Sequence, residues 1–126
     1  MTSERLVTCW FLIPIVRDSK PRQKHHPTVW RKLEDALYRE FRGKTGPERI
    51  IGFKDVELLP GGEIPEGSNE RAEDESRKYT VFVLESEIDR LRALLQRAAK
   101  SFDQRCIALD VQGYPEFVYP GDDYLE

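Results

Sequence analysis

The sequence predicts an α+β fold in which a four-stranded antiparallel sheet carries two helices on one face. Three observations predict it. Apolar residues alternate at period two in some segments and recur at spacings of three and four in others. Those segments follow one another as strand, helix, strand, strand, helix, strand. The chain has 126 residues, 39% apolar and 34% charged, which suits one domain over 1–126.

Leu6 to Val16 reads as the first strand because Val, Ile, Phe and Trp dominate it. Val7, Cys9, Phe11, Ile13 and Ile15 point one way, while Leu6, Trp10, Leu12 and Pro14 point the other. Pro14 has no N–H to donate, so it belongs at a bulge or beyond the paired part of the strand. A polar loop follows over 17–27. Pro27 suits the first helical position, where its missing donor costs nothing. Trp30, Leu33, Leu37 and Phe41 then form one helical stripe. Arg39 and Arg42 complement the negative helix end, and Gly43 is expected as a left-handed stop.

Residues 48–59 read as the second strand, with a phase change near Gly52 that predicts a bulge or bend there. Residues 60–76 read as a flexible acidic connection. In the third strand, over 77–85, Tyr79, Val81 and Val83 share one face and Phe82 and Leu84 the other. Ser86 is expected to cap the second helix, with Asp89 three residues on, close to a capping box. Ile88, Leu91, Leu95, Ala98 and Phe102 make its apolar stripe. A fourth strand runs from Cys106 to about Gln112. Residues 114–119 either extend it or fold back as a hairpin, and 120–126 read as a frayed tail. This element order is the split βαβ, ferredoxin-like arrangement, with strands 1 and 3 central in a sheet ordered 4-1-3-2.

The central strands are apolar on both faces, yet the helices cover only one. Antiparallel sheets that face water usually alternate apolar and polar residues. Trp10, Leu12, Phe82 and Leu84 are therefore expected at an interface between copies of the chain, a homo-oligomer joined sheet to sheet. The other way to cover them is with the 60–76 connection or the tail. Charge is also uneven: residues 1–50 carry a net +5 and residues 51–126 a net −8. That polarity suits either head-to-tail association or a solvated surface.

The apolar run Leu6–Val16 is too short for a membrane span, which needs about 18–20 residues. The lead-in Met1 to Arg5 has no net positive side-chain charge and no small-residue cleavage site follows, so the chain reads as cytoplasmic with no membrane partner. Cys9 and Cys106 have no CxxC spacing. Antiparallel pairing of the first and fourth strands keeps them apart, and no metal site is expected.

His25 and His26 precede a helix N-terminus beside Arg22, Lys24 and Arg31. They read either as an anion site with a histidine acid or base, or as an exposed loop and cap. Glu75, Arg77 and Tyr79 alternate at period two and are placed to bind a small polar ligand from one face; the alternative is a solvated strand entry. Strand aromatics raise single-stranded nucleic acid binding, but the third strand lacks the basic-Gly-aromatic pattern of RNA recognition modules, and the negative charge opposes it. No Walker or Rossmann glycine pattern is present, and no cofactor is expected.

Ile13-Pro14 followed by a polar loop with His25, the run Asp74-Glu75-Ser76-Arg77-Lys78-Tyr79, and Phe102-Asp103-Gln104 resemble a set of small uncharacterised bacterial ferredoxin-like α+β proteins. That resemblance implies no activity. The sequence favours a non-enzymatic, oligomeric module that binds a ligand or partner. A small enzyme with a pocket of His25 or His26, Glu75, Arg77 and Tyr79 is the second reading, and single-stranded nucleic acid binding the third.

Overall fold

Among the described residues, five strands rather than four form one antiparallel sheet. The structure is a computed structural model that describes residues 4–41, 43–55 and 71–126, apart from the side chains of 52–55 and 71–74. The elements are β1 (Leu6–Pro14), α1 (Pro27–Glu40), β2 (Gly43–Asp55), β3 (Arg71–Leu84), α2 (Ile88–Ser101), β4 (Ile107–Val111) and β5 (Tyr114–Val118). The strand order is β2-β3-β1-β4-β5, so β1 to β4 keep the expected ferredoxin-like order. The fifth strand exists because Gln112 and Gly113 both take positive φ, 52° and 89°. Two such residues make a tight hairpin turn that matches strand twist. The Asp110 carboxylate accepts the Gly113 N–H at 2.7 Å and holds that turn.

The helical stripes build the core as their spacing implies. Trp30, Leu33 and Leu37 of α1 and Leu91, Leu95 and Ala98 of α2 are buried against Val7, Cys9, Phe11 and Ile13 of β1. Among the described residues, nothing covers the opposite sheet face. Trp10, Leu12 and Leu84 are half-exposed. Phe82 is 38% exposed, Leu6 59% and Phe117 of β5 65%.

Several local expectations are corrected. Helix α1 ends at Glu40 with Phe41 extended, and Gly43 starts β2 instead of stopping the helix. The irregularity in β2 lies between Thr45 and Glu48, whereas the pairing runs unbroken through Gly52. Residues 71–76 belong to β3; the rest of the expected acidic connection, 60–70, lies outside the described residues. Ser86 sits inside a short 3-10 turn ahead of α2 and caps nothing; the Glu87 carboxylate instead accepts the Leu84 N–H at 2.8 Å. The tail does not fray. Leu125 is buried, its N–H donates to Ser101 Oγ at 2.8 Å, and Gly121 N–H donates to the Gln96 carbonyl at 3.2 Å. The tail therefore lies along α2 and leaves the open sheet face uncovered. No helix among the described residues is long and apolar enough to cross a membrane.

Candidate functional site

The strands differ in length, and that difference creates a cleft. Strand β1 stops at Pro14, opposite Ser76, while β2 and β3 continue as a two-stranded ribbon through Asp55 and Arg71. Where the ribbon leaves β1, it faces α1. Between them lies a cleft of about 720 Å³. Helix α1 supplies Trp30, Arg31, Glu34 and Asp35; β2 supplies Pro47, Glu48 and Arg49; β3 supplies Glu75, Ser76 and Arg77. Ile15, Lys24 and His25 close one end.

The bulge in β2 sets where its residues enter the cleft. Gly46 has φ +103°, and a Cβ there would stand 2.6 Å from the Lys78 carbonyl oxygen, so only glycine fits. The Gly46–Pro47 peptide is cis. Pairing resumes at Glu48 with Lys78 and Arg49 with Arg77.

His25 belongs to the wall rather than to an exposed loop. Its Nε2 lies 2.8 Å from the Pro14 carbonyl oxygen, and because a carbonyl only accepts, Nε2 carries the proton. The ring packs edge-on against Phe102 and Trp30, with centroids 4.9 and 5.6 Å apart. Burial lowers its pKa from the ordinary histidine value, so the ring is neutral at pH 7. A neutral Nε2–H already committed to a carbonyl is a poor general acid. The loop behind it is pinned at Asp103, which accepts from Arg17 Nε at 3.0 Å and from the Ser19 hydroxyl. Asp18 accepts the Arg105 N–H at 2.6 Å.

The remaining candidates separate. His26 stays outside the cleft, exposed, with Nδ1 accepting the Thr28 N–H at 3.1 Å as the α1 N-cap. Glu75 lies in the cleft, ion-paired with Arg49. The Arg77 guanidinium stands over the Trp30 ring. Tyr79 is fully buried beneath the cleft floor, and its hydroxyl donates to Glu34 Oε2 at 3.0 Å. Burial and the Glu34 carboxylate push the phenol well above its usual range, although Arg77 opposes this.

The structure thus joins His25, Glu75 and Arg77 in one cleft, places Tyr79 just under it and leaves His26 out. Sequence reasoning missed Glu34, Asp35 and Arg49, and read Trp30 only as core. The available signal was the i, i+4 spacing of Trp30 and Glu34, which puts both on one side of α1.

Of the lining side chains, four are basic and four are carboxylates, so the cleft carries no net charge. Cations and carboxylates gathered in one concavity suit a small ligand that carries charges of both signs.

No family model matches this chain, and no curated protein matches it. Among solved structures, the fold is similar to that of a phage SAM lyase in complex with S-methyl-5′-thioadenosine, with a TM-score of 0.56 and 8% sequence identity over 94% of this chain and 93% of that one.

Proposed function

We propose that this protein is a small enzyme acting in the cleft between α1 and the β2–β3 ribbon, on a nucleoside-bearing zwitterion of the S-adenosylmethionine class. The observation that carries this reading is the cleft itself: about 720 Å³, net-neutral, with Trp30, Glu34, Glu75 and Arg77 in its walls. Its volume falls within the range of about 300–1,000 Å³ usual for small-molecule sites. The likeness to a phage SAM lyase supports the enzyme reading over the non-enzymatic module that the sequence favoured. At 8% identity the likeness is one of fold, so the chemistry is argued from the cleft.

The reaction proposed is intramolecular carbon–sulfur cleavage. The substrate's own carboxylate oxygen attacks the carbon bonded to the sulfonium, and a C–O bond forms as the C–S bond breaks. S-methyl-5′-thioadenosine and homoserine lactone are released with no added co-reactant. The test is incubation of purified protein with S-adenosylmethionine and chromatographic detection of S-methyl-5′-thioadenosine. Release that falls by about tenfold or more in Glu34→Gln and Arg77→Ala is the expected result. Absence of both turnover and calorimetric binding at about 1 mM substrate would overturn this reading.

A second reading concerns assembly. We infer that the open sheet face meets a second copy of the chain. Trp10 pairs in register with Asp110, and Lys78 Nζ lies 4.9 Å from the centroid of the Trp10 ring. Acid and base thus flank one central tryptophan, an arrangement that a two-fold axis can satisfy by crossing Lys78 to the partner's Asp110. Sedimentation of wild type and Trp10→Lys tests it: a dimer that the charge abolishes supports the inference, and a wild-type monomer at about 100 μM overturns it.

A further inference from the structure

We propose that Glu34, held by Tyr79, binds a positively charged centre on the ligand, so that the cleft selects cation-bearing molecules over neutral analogues of the same shape. The inference rests on the cleft being the substrate site and names the group that would choose the substrate.

Glu34 differs from the other carboxylates around it. Glu75 is already paired with Arg49. Asp35 and Glu48 are exposed, where water solvates them. Glu34 is half-buried and lines the cleft, yet the group that hydrogen-bonds it is a neutral phenol. Among the described residues it forms no ion pair. A partly desolvated carboxylate with one neutral donor is under-compensated, and a cation brought by a ligand supplies what is missing.

Tyr79 makes that carboxylate a fixed feature of the cleft. Its ring is fully buried and stacks on Phe11 at 5.5 Å between centroids, so the hydroxyl cannot swing away. It donates to Oε2 and leaves Oε1 for the ligand. Tyr79 is therefore a positioning residue, acting through Glu34. Of the cations that line the cleft, Arg77 stacks on Trp30, Arg49 is paired with Glu75, and Lys24 and Arg31 are exposed; among the described residues none of them forms an ion pair with Glu34.

The test follows Trp30 fluorescence in a Trp10→Phe background, which leaves Trp30 as the sole tryptophan. Three ligands are titrated: S-adenosylmethionine, S-adenosylhomocysteine and S-methyl-5′-thioadenosine. The first two differ by a methyl group and its sulfonium charge, and the last lacks the amino-acid group. We expect the first to bind at least about tenfold more tightly than the last. Glu34→Gln should erase most of that preference while changing affinity for S-methyl-5′-thioadenosine less than about twofold, which also shows that the variant is folded. Glu34→Asp should keep part of the preference, and Tyr79→Phe should reduce it. A preference already present between the first two ligands assigns the contact to the sulfonium; one seen only against the third assigns it to the ammonium. No preference in wild type, or an equal loss of all three ligands in Glu34→Gln, overturns the role of Glu34 while the cleft stands as the site. Failure of all three to bind wild type overturns the cleft reading and this inference with it.

Discussion

The Arg77 guanidinium lies 4.1 Å from the centroid of the Trp30 ring, so a charged strand residue is latched across the cleft onto helix α1. Trp30 is 6% exposed, and its other neighbours are Phe102 at 4.6 Å and His25 at 5.6 Å. The cation therefore completes an aromatic cluster. Replacing Arg77 by Ala should cost about 1–2 kcal/mol, the range for a partly desolvated cation–π contact. Arg77→Lys should recover only part of it, because an ammonium lacks the planar stacking surface. Urea denaturation measures the loss, and a red shift of Trp30 emission in Arg77→Ala, in the Trp10→Phe background, locates it. An unchanged emission maximum in that variant counts against the latch.

His25 makes stability depend on pH. Burial lowers its pKa below the ordinary value, and the nearby Arg17 charge acts the same way, while the Pro14 carbonyl and the Asp103 and Asp18 carboxylates oppose them. The unfolded chain then binds a proton at a pH where the folded chain does not. Stability should be full above about pH 6.5 and should decline as pH falls from there through the lower folded value. His25→Gln keeps a donor for the Pro14 carbonyl and removes the titration. Melting temperatures between about pH 8 and pH 5 should fall less steeply in that variant than in wild type. Parallel slopes in the two proteins refute the assignment. Asp103, lowered mainly by its hydrogen bond from Ser19, acts in a more acidic window, where its protonation releases the loop.

What the sequence showed and hid follows from where burial contrast exists. The stripes at Trp30, Leu33, Leu37 and at Leu91, Leu95, Ala98 were legible because each helix has one wet and one dry side. The strand over 71–76 was not. Its residues 71–75 have ladder partners in β2 alone, beyond the end of β1, so no apolar alternation marks them. A polar run read as a loop is, in the fold, the rim of the cleft. Glu34, and the burial of His25 as distinct from its candidacy, were hidden for another reason. Each residue looks polar and surface-bound in one dimension, and only the packing of the loop and α1 on β3 gives them half-dry surroundings. The open face was legible in outline: Trp10, Leu12, Phe82 and Leu84 do share a side that the helices leave uncovered.

The β2 bulge offers a direct handle on cleft geometry. A methyl group at Gly46 would meet the Lys78 carbonyl oxygen at 2.6 Å, and the backbone there has φ +103°. Gly46→Ala should therefore destabilise the protein by about 1–3 kcal/mol. Because Glu48 and Arg49 follow the bulge, the same variant should weaken cleft binding of S-adenosylmethionine under conditions where the protein is still folded. Gly113→Ala is the control: its φ is +89°, but no atom stands within 4 Å of the added methyl and the cleft lies elsewhere. It should cost stability and spare binding. Equal effects of both variants on binding would mean that the bulge does not shape the cleft.

The C-terminal tail should be part of the cooperative fold rather than an appendage. Leu125 is 4% exposed, and Lys100 Nζ donates to the Asp122 carbonyl at 2.7 Å while lying 4.8 Å from the centroid of the Tyr124 ring. One buried leucine thus anchors a polar segment whose own composition carries little folding drive. Leu125→Ala should cost about 2 kcal/mol, at the low end for a leucine truncation because a chain end relaxes easily. Hydrogen exchange reads the same contact locally. In wild type the Gly121 and Leu125 amides, bonded to Gln96 and Ser101, should exchange slowly. In Leu125→Ala both should approach the rate of a free chain while the β1 amides stay protected. Fast exchange at both positions in wild type would return the tail to a frayed state.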